Sequence, residues 1–196
     1  ELARRNITVV SGMALGIDAQ AHWGAIEGGG TLPTVAVLAC GVEQANPASH
    51  YSLYEAIMEK GLVLSELPPG TPPRAGNYPI RNRIIAGLSQ GTLVVEAGLK
   101  SGTWHTVDHA LDSGREVFAL PGRIGEPCSA GTLEMIKLGA KPVTDINGIL
   151  EEFPAWGAEL RQEPREAGQL SLEESLILEA LVGREMSADE LFESTG

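Results

Sequence analysis

The chain has 196 residues, 43% of them apolar, and a formal net charge of −12. Its apolar content is enough to build a buried core, and no apolar run approaches the roughly 18 residues of a membrane-spanning helix. These features argue against a wholly disordered chain and against a membrane protein. The two cysteines, Cys40 and Cys128, form no metal-binding spacing and no disulfide framework, which favours the reducing cytoplasm.

Short apolar runs alternate with longer amphipathic stretches through residue 138. The predicted strands are residues 7–10, 34–39, 62–64, 92–96 and 116–120, and the predicted helices are residues 17–27, 49–60, 80–88, 103–113 and 131–138. Strands this apolar are buried on both faces, as in a parallel sheet covered by helices. The sequence therefore predicts an α/β fold with a doubly wound, mostly parallel sheet and helices on both faces, of the Rossmann-like type.

The pattern changes after residue 153. Residues 154–169 are polar and punctuated by prolines, which is typical of a linker. In residues 170–196, Ser171 followed by Glu174 predicts a capping box, and Ser187 predicts a second helix start. We interpret this segment as the start of a small α-helical, winged-helix-like module that follows a Rossmann-like domain in residues 1–153. The chain begins without a methionine, and we expect the N-terminal part of that domain to lie upstream.

The negative charge is concentrated near the C-terminus. Residues 151–196 hold 12 acidic and 3 basic residues, whereas residues 1–150 hold 14 and 11. The stretch 67–95 contains no acidic residue and three arginines, which are Arg74, Arg81 and Arg83. The main domain is therefore close to neutral and carries a local basic face.

Small residues follow two of the predicted strands. They are Ser11 and Gly12 after the first strand, and Ser101, Gly102 and Thr103 after the fourth. Ligands of open parallel sheets bind beyond the carboxyl ends of the strands, and free N–H groups at helix starts attract phosphate. The first turn lacks the G-x-G-x-x-G spacing, so no dinucleotide cofactor is predicted. The alternative is a tight turn without a ligand. Asp18 could hold a ligand or only favour the positive end of a helix.

Two arginines, Arg81 and Arg83, flank Asn82 at the start of a predicted helix. An arginine in the first helical turn is mildly unfavourable because that end of the helix carries partial positive charge. A bound phosphate would satisfy the helix end and both guanidinium groups. The alternative is that each arginine is merely solvated, or forms an ion pair with Glu66 or Glu96.

No catalytic set stands out. Among the four histidines, only His105 and His109 have a helical spacing of four residues, and no H-E-x-x-H context accompanies this weak candidate for a metal pair. No serine or cysteine lies in a nucleophile elbow. The sequence thus favours a protein that holds an anionic polymer over one that breaks a bond.

Several segments together resemble the DprA/Smf family of bacterial DNA-processing proteins. They include S-G-M-A-L-G-I-D-A-Q-A-H from residue 11, S-E-L-P-P-G-T-P-P from residue 65, Y-P-I-R-N-R-I-I-A-G-L-S from residue 78 and G-R-E-V-F-A-L-P-G from residue 114. The resemblance implies an extended Rossmann-type domain that binds single-stranded DNA. It further implies that the protein protects incoming strands in natural transformation, displaces single-strand-binding protein and loads the recombinase RecA. A homodimer without a cofactor is expected, and many members add a winged-helix-like domain.

The resemblance also implies which residues contact DNA. By position they are Ser11, Gly12, Arg81, Asn82, Arg83, Ser101, Gly102 and Thr103. Such contacts capture phosphates and give little sequence preference. The family's first strand and its Gly-x-Arg turn are expected upstream of Glu1. Trp104, His105 and Leu133 depart from residues that are usual in the family.

Two other classes of function compete with this interpretation. One is a nucleotide-binding or phosphoribohydrolase-type enzyme on a related fold, whose P-G-G-x-G-T-x-x-E motif needs its glutamate for chemistry. The aligned run here is L-K-S-G-T-W-H-T, so Thr106 takes the place of that glutamate and we expect no enzyme activity. The other is a scaffold that recruits proteins through the acidic tail and binds no oligonucleotide.

Overall fold

Six strands and six α-helices alternate along residues 1–154 and Trp156, which are the residues described by the structure, a computed structural model. The strands are β1 (Val9–Ser11), β2 (Thr34–Val37), β3 (Leu62–Leu64), β4 (Gly91–Val94), β5 (Glu116–Ala119) and β6 (Lys141–Pro142). The helices are α1 (Ile17–Gly28), α2 (Tyr51–Lys60), α3 (Asn77–Leu88), α4 (Thr103–Asp112), α5 (Pro127–Lys137) and α6 (Asn147–Leu150). None of these helices is long and apolar enough to cross a membrane. The predicted helical module in residues 170–196 lies outside the described residues.

The strands form two parallel sheets of three strands each, in the orders β1-β2-β3 and β4-β5-β6. Helix α3 connects them in the chain and contacts β1, β2 and helix α4. Parallel strands joined by helical crossovers confirm the predicted α/β class. The strands do not form one continuous hydrogen-bonded sheet, because no hydrogen bonds pair β1 with β4 among the described residues.

Each sheet has its own apolar core. All four residues of β2 are buried, as its uninterrupted apolar and β-branched pattern predicts for a central parallel strand. The first core includes Met13, Leu53 and Ile57 beneath this strand. The second includes Val107 of α4 and Met135 of α5, which pack around β4 and β5.

An aromatic cluster extends the domain beyond residue 153. The ring of Phe153 stacks on Trp156 with 4.0 Å between the ring centroids, and it meets Phe118 edge to face at 6.0 Å. The compact unit runs from Glu1 to Gly157. Trp156 of the predicted linker therefore packs on the domain, whereas the linker from residue 157 onward lies outside the described residues.

Helix α3 begins earlier than its sequence pattern suggested. It starts at Asn77, which makes Pro79 its third residue and Arg81 and Arg83 its fifth and seventh. A proline is tolerated in the first turn of a helix because the N–H that it lacks has no partner there. The prediction that both arginines occupy the first turn is therefore wrong, and the charge of the helix end does not explain them. Helix α5 likewise starts before its predicted residue 131, with Pro127 in its first turn.

His22 is a fully buried histidine of α1 whose ring faces β2. Its Nδ1 lies 2.6 Å from Thr34 Oγ1, and the Thr34 hydroxyl donates to the Val9 carbonyl at 2.7 Å. Since the hydroxyl hydrogen is committed to Val9, Nδ1 carries the imidazole hydrogen and Nε2 is left without a partner. Burial lowers the pKa of His22 to about 4, although the charge of Asp18 opposes this shift.

We expect this histidine to make the protein less stable in acid. Its pKa is about 4 when folded, and about 6.5 when unfolded, so the unfolded chain binds the proton more readily. The free energy of unfolding should fall as the pH drops from about 6.5 to about 4, by about 3 kcal/mol in total. Urea unfolding across this range should show a shallower fall for His22→Gln than for the wild type. Parallel curves would contradict the assignment, and His105→Gln on an exposed position serves as the control.

Candidate nucleic-acid interface

Arg81 connects helix α3 to the carboxyl ends of two strands. Its Nη1 donates to the carbonyl of Gly12, which follows β1, at 2.8 Å, and to the carbonyl of Val37 at the end of β2. Its Nε donates to Asn82 Oδ1 at 3.2 Å. With only 6% of its surface exposed, Arg81 is held by three hydrogen bonds at the edge of the first sheet.

Gly12 is a glycine because of this arginine. A Cβ atom added at Gly12 would lie 2.5 Å from Arg81 Cζ, a distance that real Cβ atoms do not reach. Arg81 therefore covers Gly12, which is itself buried. Gly12 and Arg81 are 69 positions apart in the sequence, and both were predicted site residues. The structure places them in direct contact.

The charge of Arg81 is poorly compensated within the protein. Burial lowers the pKa of its guanidinium, and the charge of Asp18 opposes that shift. Among the described residues no carboxylate forms an ion pair with Arg81. A desolvated cation whose hydrogen-bond partners are uncharged oxygens is stabilised when an anion binds beside it.

Arg83 is different, because its side chain is 49% exposed and pairs with Glu66, which is 53% exposed. This ion pair is one of the alternatives to anion binding that the sequence left open. The loop places Glu66 firmly, since the Ser65 hydroxyl donates to the Cys40 carbonyl at 2.5 Å and accepts the Leu67 N–H at 3.1 Å. An exposed ion pair contributes little free energy, so a phosphate can replace Glu66 as the partner of Arg83.

The turn after β1 already contains an anion. The N–H groups of Gly12 and Ala14 both donate to Asp18 Oδ2, at 3.1 and 3.2 Å. Ser11, the last residue of β1, is half-buried beside them. The sequence predicted that Ser11 and Gly12 contact DNA; in the structure the N–H groups of Gly12 and Ala14 already have a side-chain acceptor.

The second predicted turn lies between β4 and α4. The Ser101 hydroxyl donates to Thr103 Oγ1 at 2.9 Å and accepts the Thr103 N–H at 3.2 Å, while Gly102 between them is exposed. Helix α4 packs against α3, but no hydrogen bond among the described residues joins this turn to the arginines. The turn and the arginines thus belong to neighbouring helices, and no hydrogen bond among the described residues joins them.

Helix α4 also carries Trp104, His105 and His109, which the sequence analysis singled out. Trp104 is half-buried, its ring N–H donates to the Gly98 carbonyl at 3.2 Å, and it packs against the second core. This placement makes Trp104 part of the packing around the second core. His105 and His109 lie on α4, and within residues 1–154 and Trp156 no three acidic, histidine or cysteine side chains converge as a metal site.

A hollow opens beside Arg81. It is small, with a volume of about 40 Å³, and its lining residues are Leu38, Glu66, Leu67, Asn77, Ile80, Arg81 and Ile84. Four of these are aliphatic, so the hollow combines apolar walls with charged groups at its border. That Glu66 borders this hollow could not be predicted from the sequence, because the contact depends on how the loop after β3 folds.

Comparisons with known proteins agree on one relationship. Residues 1–154 match the sequence profile of the family described as DNA recombination-mediator protein A. Protein Smf of Escherichia coli K12 is 49% identical over 153 residues, which cover 78% of this chain and 40% of that protein. The chain thus spans less than half the length of this relative.

Two solved structures are similar as well. The X-ray structure of DNA processing protein A from Streptococcus pneumoniae is 41% identical, with a TM-score of 0.71 over 77% of this chain and 53% of that one. DNA processing protein A from Helicobacter pylori, whose structure concerns its mode of single-stranded DNA binding, is 28% identical, with a TM-score of 0.66 over 79% of this chain and 69% of that one. Both likenesses extend over the domain that carries the buried arginine.

Proposed function

The chain belongs to the DNA recombination-mediator protein A family, and from this premise we propose that it binds single-stranded DNA at the carboxyl edge of its first sheet. The observation that carries the proposal is Arg81, a buried guanidinium at that edge with carbonyl partners and, among the described residues, no carboxylate in an ion pair. A phosphate brings the direct anionic partner that Arg81 lacks among the described residues.

The proposed interface consists of the residues at the two turns and the start of α3. They are Ser11, Gly12, Arg81, Asn82, Arg83, Ser101, Gly102 and Thr103. Arg83 exchanges Glu66 for a phosphate, and bases contact the aliphatic border of the hollow beside Arg81. Binding of this kind responds to charge and to strand flexibility, so little sequence preference is expected.

The wider role that we propose is in DNA recombination and natural transformation. In that role the protein protects incoming single strands, displaces single-strand-binding protein and loads RecA, and it acts as a cytoplasmic homodimer without a cofactor. Its activity is binding and not catalysis, because Thr106 stands where the competing phosphoribohydrolase-type enzymes need a glutamate. A RecA-loading assay on strands coated with single-strand-binding protein tests this part of the proposal.

The binding proposal is tested by fluorescence anisotropy with a labelled oligo-dT strand across a series of salt concentrations. We expect tight binding that weakens steeply with salt, and we expect Arg83→Ala to reduce the slope of log K against log salt by about 0.7 for the phosphate it no longer contacts. Glu66→Gln should increase the affinity by up to about fivefold, because Arg83 is then free of its competing partner.

Controls separate the site from general charge effects. Glu96→Gln also removes one exposed acid but leaves the Arg83 ion pair intact, so it should change the affinity less than Glu66→Gln does. In an Arg83→Ala background, Glu66→Gln should have little further effect. A wild-type protein that binds no single-stranded DNA would refute the function, whereas unchanged binding and salt slope in Arg83→Ala would refute this arginine as a phosphate ligand. Nucleotide hydrolysis by the same sample would favour the competing phosphoribohydrolase-type activity.

A further inference from the structure

The turn between β1 and α1 is held by side chains from three different elements. Asp18 of α1 accepts the N–H groups of Gly12 and Ala14 with one carboxylate oxygen, at 3.1 and 3.2 Å. His50 Nδ1 lies 3.1 Å from the Met13 carbonyl oxygen, where its N–H donates. Arg81 of α3 donates to the Gly12 carbonyl at 2.8 Å.

The backbone of this turn creates the place that Asp18 fills. Met13 has a φ of 57°, in the left-handed region that residues other than glycine seldom adopt, and its side chain is fully buried. This conformation directs the N–H groups on either side of Met13 toward one point, the arrangement that binds anions in many proteins. A carboxylate oxygen of the chain itself occupies that point.

We propose that Asp18 is the positioning residue of this edge and that its carboxylate, rather than a DNA phosphate, is the permanent anion of the first turn. By fixing both N–H groups, Asp18 fixes the Gly12 carbonyl on which Arg81 rests. The inference deepens the proposed function and rests on it for the DNA-binding readout. It also assigns different roles within the interface: the Gly12 N–H is unavailable to DNA, and the phosphates are bound by the side chains of α3 and by the turn before α4.

The roles of the charge and of the hydrogen bonds can be separated by two variants of the full chain. Asp18→Asn keeps an oxygen that accepts both N–H groups, whereas Asp18→Ala leaves the point empty. Sodium formate is the probe, because it is a carboxylate small enough to replace the deleted one. Sodium chloride at equal ionic strength serves as the reference.

In thermal unfolding, Asp18→Ala should lower the Tm by about 2–8 °C. Formate should raise the Tm of this variant more than chloride does, and it should not do so for the wild type. Asp18→Asn should unfold near the wild-type temperature. The exposed Glu27 on the same helix provides the matched control, since Glu27→Ala should show no specific response to formate.

In the anisotropy assay, Asp18→Ala should lose about tenfold in affinity for oligo-dT and regain part of it in formate, because the Gly12 carbonyl that accepts from Arg81 is no longer fixed. Asp18→Asn should stay within about threefold of the wild type. The proposal is overturned if Asp18→Ala shows neither a formate response nor a loss of affinity, or if Asp18→Asn loses as much affinity as Arg81→Ala while keeping its Tm.

Two further outcomes are also decisive. If Asp18→Ala does not fold, Asp18→Asn decides alone, because normal binding by this variant supports the proposal and a loss as large as that of Arg81→Ala overturns it. If the wild type binds no single-stranded DNA, the proposed function fails. The formate response of the Tm, which involves no DNA, then still decides whether a carboxylate fills the turn.

Discussion

Arg81→Ala is expected to weaken both the fold and the binding of DNA. The substitution removes the donor from the carbonyl groups of Gly12 and Val37 and leaves space where a buried side chain stood. An unsatisfied buried carbonyl costs about 1–3 kcal/mol, so we expect the free energy of unfolding to fall by about 2–4 kcal/mol. Affinity for oligo-dT should fall about 10- to 100-fold, as expected when a charged hydrogen bond is lost.

Two other substitutions sharpen this experiment. Arg81→Lys keeps the positive charge, but it is shorter and lacks the Nε–H that donates to Asn82, so it should restore only part of the stability and affinity. Arg74→Ala removes an exposed arginine from the same acid-free stretch and should change the free energy of unfolding by less than about 0.5 kcal/mol. Wild-type stability in Arg81→Ala, measured by urea unfolding, would contradict the buried role of this arginine.

The sequence predicted the existence of the main elements well, and the reasons are local. The apolar run of β2 has one physical outcome, a strand buried on both faces, and the structure confirms it. The start of α3 was predicted less well because Pro79 is compatible with several positions in a first turn. Strand β6 and helix α6 were missed, since two and four residues are too short to show a period.

The burial of Arg81 could have been inferred from its spacing to the apolar residues of α3. Tyr78, Ile84 and Ile85 lie three or four positions from Arg81, which places this arginine on the apolar face of its helix. Arg83 lacks that relationship to the two isoleucines, and its side chain is half exposed. The residue that each arginine contacts could not be inferred in this way, because Gly12 and Glu66 are distant in sequence and reach the arginines only through the folded loops.

The occupation of the first turn by Asp18 was beyond sequence reasoning for a similar reason. The sequence left two roles open for this residue, a ligand-binding one and a favourable charge at a helix start. Its two hydrogen bonds depend on the left-handed conformation of Met13, a residue with no intrinsic preference for that region. Tertiary contacts from His50, just before α2, and from Arg81 of α3 hold this turn, and a local pattern carries no information about them.

The second large effect is expected at Gly131, in the first part of α5. Its N–H donates to the Ala97 carbonyl at 2.7 Å, and a Cβ atom added there would lie 2.5 Å from that oxygen and 2.6 Å from the carbonyl oxygen of Gly98. These are backbone atoms of the loop between β4 and α4, so a rotamer change cannot relieve the clash. Gly131→Ala should lower the free energy of unfolding by about 1–3 kcal/mol, measured with urea.

A matched glycine makes the prediction specific. Gly24 lies within α1, is exposed and has no atom within 4 Å of an added Cβ, so Gly24→Ala should raise the stability by about 0.5–1 kcal/mol through helix propensity alone. The same substitution in two helices should thus have opposite signs. Equal effects would show that the approach of α5 to the loop does not limit the residue at position 131.

The loop that Gly131 supports leads directly into Ser101 and Thr103, so the same variant also tests the second half of the interface. If α5 moves away to accommodate the methyl group, the turn before α4 moves with it, and affinity for oligo-dT should fall about tenfold while the contacts of Arg81 stay intact. A destabilised variant with wild-type affinity would remove this turn from the interface. Binding would then depend on the arginines of α3 alone, and the strand would follow the edge of the first sheet without reaching the second.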